Sequence, residues 1–220
     1  MFTHIDLPPV DITLTRKTVL GKRFYTIKET GEKFPSVTTV LSSIPHPKLI
    51  AWEQRLGAQK AKKEKERCAM RGTAVHLLAE QYLKNNPNPT HENLLYQKLF
   101  NKLKLWLKKI NNIKAQEIPL VSRTLKIAGT ADCIAEYEGK LSVIDFKTAN
   151  HKKDTDTIED YFLQCTAYAL CFDEMYDIFI DDIVILISSE KGATPLVFKR
   201  KIDDYVKPLV ERINTFYKRK

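Results

Sequence analysis

Two aspartates and a lysine, residue types that can bind a divalent cation and act on a phosphate, lie close together in the sequence. Asp132 belongs to one apolar, β-branched run, and Asp145 and Lys147 belong to the next such run. The Glu138-Gly139 pair between the two runs supplies the glycine that a tight connection needs, so the segment predicts a β-hairpin. With a short, even-numbered loop, Asp132 lies directly opposite Asp145.

Alternation along these strands predicts which side chains share a face of the sheet, because residues i and i+2 of a strand point the same way. One face carries Asp132, Ile134, Val143, Asp145 and Lys147, and the other carries Ala131, Cys133, Ile144 and Phe146. Both sets are mostly apolar. The sequence therefore predicts a sheet that is covered on both sides.

The facing carboxylates indicate a specific chemistry. Two acids opposite each other on adjacent strands repel and cost stability unless a cation neutralises them. Mg²⁺ prefers oxygen ligands and commonly uses one or two protein carboxylates. Lys147 lies on the same face as Asp145 and could hold or help to deprotonate an attacking water, or stabilise charge on a phosphate. A cross-strand ion pair between Asp132 and Lys147 explains the same spacing without a metal, and both interpretations stay open.

Further polar groups lie outside the hairpin. His76 and Glu80 are four residues apart in a predicted helix and stack on one face, with Thr73 one turn earlier. A histidine that packs in the core with one hydrogen bond would also fit this pattern. Glu117 lies in the strand predicted at residues 116–122, where it is either a further metal ligand or a partner in a strand-edge salt bridge.

A stripe of three residues follows the hairpin, in a helix predicted at residues 157–176. Tyr161, Gln164 and Tyr168 are spaced i, i+3 and i+7, so they lie on one side of that helix. Amphipathic packing accounts for the tyrosines. It does not account for Gln164, whose amide needs hydrogen-bond partners if it is buried.

Several of these motifs together resemble a known family. They are Gly129-Thr130-Ala131-Asp132, Val143-Ile144-Asp145-Phe146-Lys147-Thr148, the pair Gln164 and Tyr168, and Arg71-Gly72 followed by His76. This ordered set resembles the signature of PD-(D/E)XK nucleases, specifically their RecB-like branch. Within that branch the chain looks most like the phage-type and mitochondrial genome maintenance exonucleases, from about residue 71 onwards.

The resemblance implies a fold and a set of roles. The expected fold is α/β (α+β), with an αβββαβ core, a central mixed sheet flanked by helices, and N-terminal and mid-chain helical additions. The implied catalytic residues are Asp132, Asp145, Lys147, Gln164 and Tyr168. The implied ligands for one or two Mg²⁺ or Mn²⁺ ions are His76, Asp132, Asp145 and the backbone carbonyl of Phe146.

The charge balance is compatible with a DNA partner. The chain of 220 residues has 36 Lys and Arg against 27 Asp and Glu, a formal charge of +9, which suits a polyanion without being specific for one. The strongest basic run includes Lys62, Lys63, Arg67 and Arg71, just before the His76 segment. These four are predicted to contact the DNA backbone, and a solvated helix face would explain the same run.

Together these features predict a metal-dependent DNA exonuclease that prefers single strands or free ends, acting in replication, recombination or degradation of DNA. A structure-specific or non-specific endonuclease is the nearest alternative. A noncatalytic nucleic-acid-binding subunit would have the same fold, although such relatives usually lose an acid or the lysine. A metal-binding protein with no role on DNA would give no reason for the positive charge.

The length predicts one domain, residues 1–220, with an N-terminal extension over residues 1–65 and a nuclease core over residues 66–220. The extension has short strands at residues 11–15 and 23–28, a short helix capped by Ser36 and part of a largely helical stretch over residues 47–85. In the core, further helices are predicted at residues 91–110 and 203–218 and further strands at 181–188 and 195–199.

The four cysteines, Cys68, Cys133, Cys165 and Cys171, form no CxxC pair. Relatives that bind an iron-sulfur cluster carry three cysteines near the C-terminus, so no such cluster is expected here. Buried free thiols in a reducing compartment explain them better. The sequence has no long apolar run and no recognisable signal or transit segment. We therefore expect a cytoplasmic protein with no membrane contact, in keeping with a phage protein that acts in the cytoplasm of its host.

Overall fold

The N-terminal part of the chain forms a small antiparallel sheet. A computed structural model describes residues 1–44, 47–151, 153 and 158–219. Its first three strands, β1 (Leu14–Val19), β2 (Lys22–Ile27) and β3 (Lys33–Pro35), pair in that order. The second predicted strand is confirmed, whereas the first begins three residues later than predicted. The predicted cap at Ser36 is also confirmed, since its side chain accepts the Thr39 N–H at 3.0 Å at the start of α1 (Val37–Leu41).

The predicted helical stretch over residues 47–85 forms two helices, α2 (Pro47–Leu56) and α3 (Ala58–Leu83). Gly57 separates them with φ 82, a left-handed conformation that glycine adopts without steric cost. The mid-chain helix is confirmed as α4 (Leu94–Leu107), which Asn93 caps. No helix within the described residues has the length and apolar character needed to cross a bilayer.

A five-stranded mixed sheet lies at the centre of the molecule. Its strands are β4 (Ile110–Ser122), β5 (Ile127–Tyr137), β6 (Lys140–Ala149), β7 (Asp182–Ser189) and β8 (Leu196–Lys201), in that spatial order. The first three pair antiparallel, β7 runs parallel to β6, and β8 is antiparallel to β7. The parallel step requires a crossover, and α5 (Glu159–Tyr176) provides it. The last element is α6 (Asp203–Lys218).

This architecture confirms a mixed α and β fold with a central sheet flanked by helices. The strands and helices predicted after residue 110 all form. β4 begins six residues earlier than predicted because its first half is polar and irregular, with a register shift between Asn111 and Ala115. The predicted start of α5 at residue 157 lies outside the described residues.

The sheet is apolar on both faces, as predicted. Helices α1, α5 and α6 cover one face, the α5 side, where Ile134 and Val143 are buried. Helices α3 and α4 cover the other, the α3 side, where Cys133 and Ile144 are buried. Burial on both faces explains why these strands lack the strict alternation of a half-exposed sheet.

One predicted face assignment is wrong. Ala131 packs on the α5 side with Ile134, whereas the alternation placed it with Cys133. The pairing of β4 with β5 passes from Ile118 and Ala131 to the next recorded pair at Cys133, without a pair at Asp132. Period-two alternation holds only along a regular ladder, so the irregularity shifts Ala131 to the other side.

Close packing against Tyr168 explains the glycine at position 129. A Cβ atom added to Gly129 would lie 2.4 Å from Cε1 of the Tyr168 ring, which is buried on α5. By contrast, a Cβ added to Gly72, inside α3, would meet only the Thr148 hydroxyl at 3.9 Å. Substitution by alanine should therefore change the stability of the fold in opposite directions at these two positions.

We expect Gly129→Ala to lower the free energy of unfolding by about 1–3 kcal/mol, because the added methyl group overpacks the Tyr168 site. The matched variant Gly72→Ala should raise it by up to about 1 kcal/mol, because alanine favours a helix interior. Urea denaturation of both variants measures the two changes. Equal effects of the same sign would contradict this account of the packing.

Candidate active site

A buried aspartate and a lysine occupy the middle of the central sheet. Asp145 on β6 is 1% exposed, and the Lys147 ammonium lies 2.7 Å from its Oδ1 and 2.5 Å from its Oδ2. The two side chains follow the predicted i, i+2 arrangement. Because an ionised carboxylate is costly to bury without a partner, Lys147 is needed to keep Asp145 charged.

Helix α5 adds the predicted glutamine and tyrosines to this pair. Gln164 Nε2 lies 3.4 Å from Asp145 Oδ1 and donates to the Tyr168 hydroxyl at 3.0 Å. The Lys147 ammonium also lies 5.0 Å from the centre of the Tyr161 ring, in a cation–π contact. The structure therefore brings Asp145, Lys147 and the α5 stripe into one cluster and gives the Gln164 amide its partners.

Asp132 reaches the same region from β5. The recorded pairs of the hairpin run from Tyr137 with Lys140 to Cys133 with Ile144, which confirms the predicted register. Beyond Ile144 the Asp132 side chain replaces the backbone as the hydrogen-bond acceptor, since its Oδ2 accepts the Phe146 N–H at 2.9 Å. The Phe146 amide is thus tied to Asp132, and the metal-binding role of the Phe146 carbonyl stays a prediction.

His76 and Glu117 complete a second cluster around Asp132. His76 Nδ1, on α3, lies 3.4 Å from Asp132 Oδ2. One ligand atom from each of His76, Glu117 and Asp132 lies within 4.8 Å of the others. A group of two carboxylates and an imidazole at this spacing is a possible metal-binding triad.

Glu117 joins this triad because of its backbone. Its φ of 48° is in the left-handed region, which is uncommon for a residue with a side chain, and it forms no ladder pair with Asp132. Of the two interpretations left open for Glu117, the salt bridge is not seen, since no ion pair of Glu117 occurs among the described side chains, and the ligand role stays a prediction. This local break in the pairing of β4 and β5 leaves the register unchanged, and the left-handed φ re-aims the Glu117 side chain.

The charges of these groups influence one another strongly. Burial raises the pKa of Asp145 to about 6, with the Asp132 carboxylate adding to the shift and Lys147 opposing it. Burial, then Asp132, also raises the pKa of Glu117. For His76, burial favours the neutral ring, but the Asp132 carboxylate outweighs it and raises the pKa. Asp132 itself has a lowered pKa, because His76 and Lys147 outweigh burial.

These shifts fit a site built for a divalent cation. The carboxylates of Glu117, Asp132 and Asp145 destabilise one another as anions, and a bound cation would relieve that repulsion. An imidazole whose proton a metal must displace makes the affinity depend on pH. The donor set combines carboxylate oxygens with one imidazole and is compatible with a divalent cation.

The four basic residues predicted to contact DNA differ in their surroundings. Arg71 is 2% exposed and donates to Thr148 Oγ1 at 3.0 Å, to Asn150 Oδ1 at 2.6 Å and to the Glu190 carboxylate. Arg67 is paired with Glu64 and Glu190. Both guanidinium groups thus join α3 to the ends of β6 and β7, which argues against a DNA contact.

Lys62 and Lys63 are different, because both side chains are exposed on the first half of α3. Within the described part of the chain, the one ion pair of Lys62 is a long contact of 4.0 Å with Glu66, which is also exposed. Exposed pairs of this kind contribute little free energy, so both ammonium groups are open to other partners. The predicted backbone contact stays a prediction for these two lysines.

Comparison with curated proteins connects this geometry to named relatives. The chain is similar to mitochondrial genome maintenance exonuclease 1. The human protein is 30% identical over 174 residues, which cover 72% of this chain and 50% of the human protein. The mouse protein is 29% identical over 174 residues, covering 72% of this chain and 51% of the mouse protein. The chain therefore spans about half the length of the two mitochondrial genome maintenance exonucleases it matches.

Two further comparisons add little. No family model matches the chain. Among solved structures, the crystal structure of SSO0001 covers 83% of this chain and 73% of its own, with a TM-score of 0.46 and 18% identity.

The triad predicts how metal binding should respond to substitution. We expect His76→Ala, Glu117→Gln and Asp132→Asn each to weaken Mn²⁺ binding about tenfold or more, since each removes one ligand or one charge. Glu66→Gln, ten residues before His76 on α3, should leave it unchanged, because the exposed Glu66 carboxylate lies near Lys62 and away from the triad. Calorimetric titration of the chelator-treated protein measures the affinities, and unchanged binding in Glu117→Gln would remove Glu117 from the site.

The Arg71 network predicts a loss of stability. Arg71→Ala removes a buried guanidinium and its hydrogen bonds to Thr148, Asn150 and Glu190, so we expect the free energy of unfolding to fall by about 3 kcal/mol. Lys62→Ala, on the exposed part of the same helix, should change it by less than about 0.5 kcal/mol. Guanidinium denaturation separates the two. If Arg71→Ala weakened DNA binding at full stability, a role in DNA contact would be supported instead.

Proposed function

We propose that this chain is a metal-dependent DNA exonuclease of the RecB-like branch of the PD-(D/E)XK nucleases, folded as one nuclease domain over residues 1–220. The observation that carries the proposal is the junction of two clusters: the His76, Glu117 and Asp132 triad lies beside the Asp145 and Lys147 pair. The names of the curated relatives support exonuclease action. The sheet order and the α5 crossover fit the αβββαβ core.

Asp132, with His76 and Glu117, would hold Mg²⁺ or Mn²⁺. Asp145 lies outside this triad, and we assign it as a further ligand because its charge and that of Asp132 act on each other. When bound, such an ion neutralises phosphate charge and lowers the pKa of water, so that hydroxide forms near neutral pH. The Phe146 N–H fixes the Asp132 carboxylate in place through their 2.9 Å hydrogen bond. A fixed carboxylate binds a cation without first giving up rotational freedom.

Lys147 would act as a hydrogen-bond donor to the water or to a phosphate oxygen. Burial disfavours its charged form, but the Asp145 carboxylate outweighs burial and raises the pKa of Lys147 above its usual value. The ammonium therefore stays protonated at neutral pH and is a poor base. Its charge is well suited to stabilise the negative charge that develops on the phosphate in the transition state.

Gln164 and Tyr168 would position this machinery. Gln164 lies beside Asp145 Oδ1 and bonds to the Tyr168 hydroxyl, so the α5 stripe limits the movement of the carboxylate. Tyr168 is buried and held close to Gly129 on β5. We assign the DNA strand, single-stranded or with a free end, to the open side of the site towards the exposed Lys62 and Lys63.

Removing the lysine should separate chemistry from binding. We expect Lys147→Ala to lower the rate of nucleotide release about a hundredfold or more, because the transition state loses a buried donor, with little change in DNA affinity. Lys140→Ala, at the exposed far end of the same strand, should retain full activity. The assay is nucleotide release from end-labelled single-stranded DNA in Mg²⁺ at saturating DNA, with anisotropy for the affinity.

A closed circular single strand tests the exonuclease assignment in the same assay. An enzyme that needs a free end leaves the circle intact while it degrades the linear strand. Cleavage of both at equal rates would make it an endonuclease, and no cleavage of any DNA by the unaltered protein with Mg²⁺ or Mn²⁺ would overturn the proposal.

A further inference from the structure

The N-terminal sheet of β1, β2 and β3 packs one face against the central sheet beside the candidate active site. Tyr25, Ile27 and Phe34 are buried against Val121 and Ala128. Leu14, on β1, packs at the edge of the same cluster. The sequence of this sheet carries no catalytic motif, so its place in the fold is what gives it a role.

Tyr25 connects this sheet to β5, the strand that carries Asp132. Its hydroxyl lies 2.9 Å from the Thr130 hydroxyl on β5. Thr130 pairs with Pro119 on β4, and each of these two residues is two positions from a member of the metal-binding triad, Asp132 and Glu117. The small sheet is therefore anchored next to both carboxylates.

The register places Arg16 on the same face as Tyr25. The two residues are directly paired between β1 and β2, and paired residues of an antiparallel sheet share a face. Leu14, two residues earlier on that face, is packed against the central sheet, whereas Arg16 is exposed. Arg16 thus lies on the packed face of the small sheet, but beyond the part of that face that is buried.

Arg16 lies close to the site. Its positive charge acts on the Glu117 carboxylate across the gap between β1 and β4. No ion pair or hydrogen bond of the Arg16 side chain occurs within the part of the chain that the structure describes. An exposed guanidinium beside a metal-binding triad is therefore available to an incoming anion.

We propose that Arg16 binds a phosphate of the DNA strand next to the metal-bound one, so that the N-terminal sheet forms one wall of the substrate site. This inference rests on the proposed nuclease function. The guanidinium has a planar set of donors that matches two phosphate oxygens at once. It would hold the strand on the β4 side of the triad, while Lys147 lies on the α5 side.

Lys17 provides a matched control. It is the next residue of β1, carries the same unit charge and is also exposed, but alternation places it on the opposite face, where its partner is Phe24. Loss of either residue lowers the net charge equally. A difference between the two variants therefore reports on local contact rather than on long-range attraction.

The test compares Arg16→Ala, Arg16→Lys and Lys17→Ala for binding of a fluorescent single-stranded oligonucleotide, in Ca²⁺ and over a range of salt concentrations. We expect Arg16→Ala to weaken binding about five- to tenfold and to reduce the slope of log affinity against log salt by about 0.7, the value for one phosphate contact. Arg16→Lys should recover part of the affinity. Lys17→Ala should resemble the unaltered protein.

Steady-state kinetics and Mn²⁺ binding distinguish a DNA contact of Arg16 from an effect on the metal site. In Mg²⁺, Arg16→Ala should raise KM with little change in kcat, because the contact is made before and during the reaction. Mn²⁺ affinity should not fall, because the charge that is lost is positive and acts on the Glu117 carboxylate. If Arg16→Ala and Lys17→Ala bind DNA equally, or if Arg16→Ala alters only Mn²⁺ affinity, the proposal for Arg16 is wrong while the nuclease function stands. If the unaltered protein neither binds nor cleaves DNA, both the proposal for Arg16 and the proposed nuclease function are wrong.

Discussion

One side-chain hydrogen bond determines where the strands of the central hairpin separate. Asp132 accepts the Phe146 N–H at a position where a regular ladder would supply a backbone acceptor. A buried N–H needs a partner, so this bond completes the sheet. Since the acceptor is a carboxylate, the same bond brings a negative charge into the gap between strands. The sheet and the candidate site therefore depend on the same atom.

The charged side chains at this gap form the two halves of one site. On one side, Asp145 and Lys147 neutralise each other, and Gln164 from α5 holds the carboxylate. On the other, the negative charge of Asp132 and Glu117 is only partly balanced by His76 from α3. Helices α3 and α5, on opposite faces of the sheet, thus contribute side chains to one site because β5 and β6 separate at this point. The carboxylate-rich half suits a cation, and the neutral half suits a group that donates hydrogen bonds.

The sequence predicts most of this arrangement where contacts are local. Periodicity locates the helices and strands, and a short loop fixes the hairpin register because few other pairings are compatible with it. The position of Glu117 is harder to predict from the sequence. Its place in the triad depends on a left-handed φ that the neighbouring residues do not require. Arg71 looks like part of a surface basic run, but its partners Asn150 and Glu190 lie far along the chain. Such pairings are decided by tertiary structure.

The contact between Gly129 and Tyr168 links two distant parts of the chain. The tyrosine ring occupies the space that any side chain at 129 would need, and it lies on the helix that holds Gln164 beside Asp145. Evolution therefore cannot change the two positions independently. In an alignment of related sequences, a residue larger than glycine at 129 should coincide with a smaller one at 168, a covariation that marks the seam between the hairpin and α5.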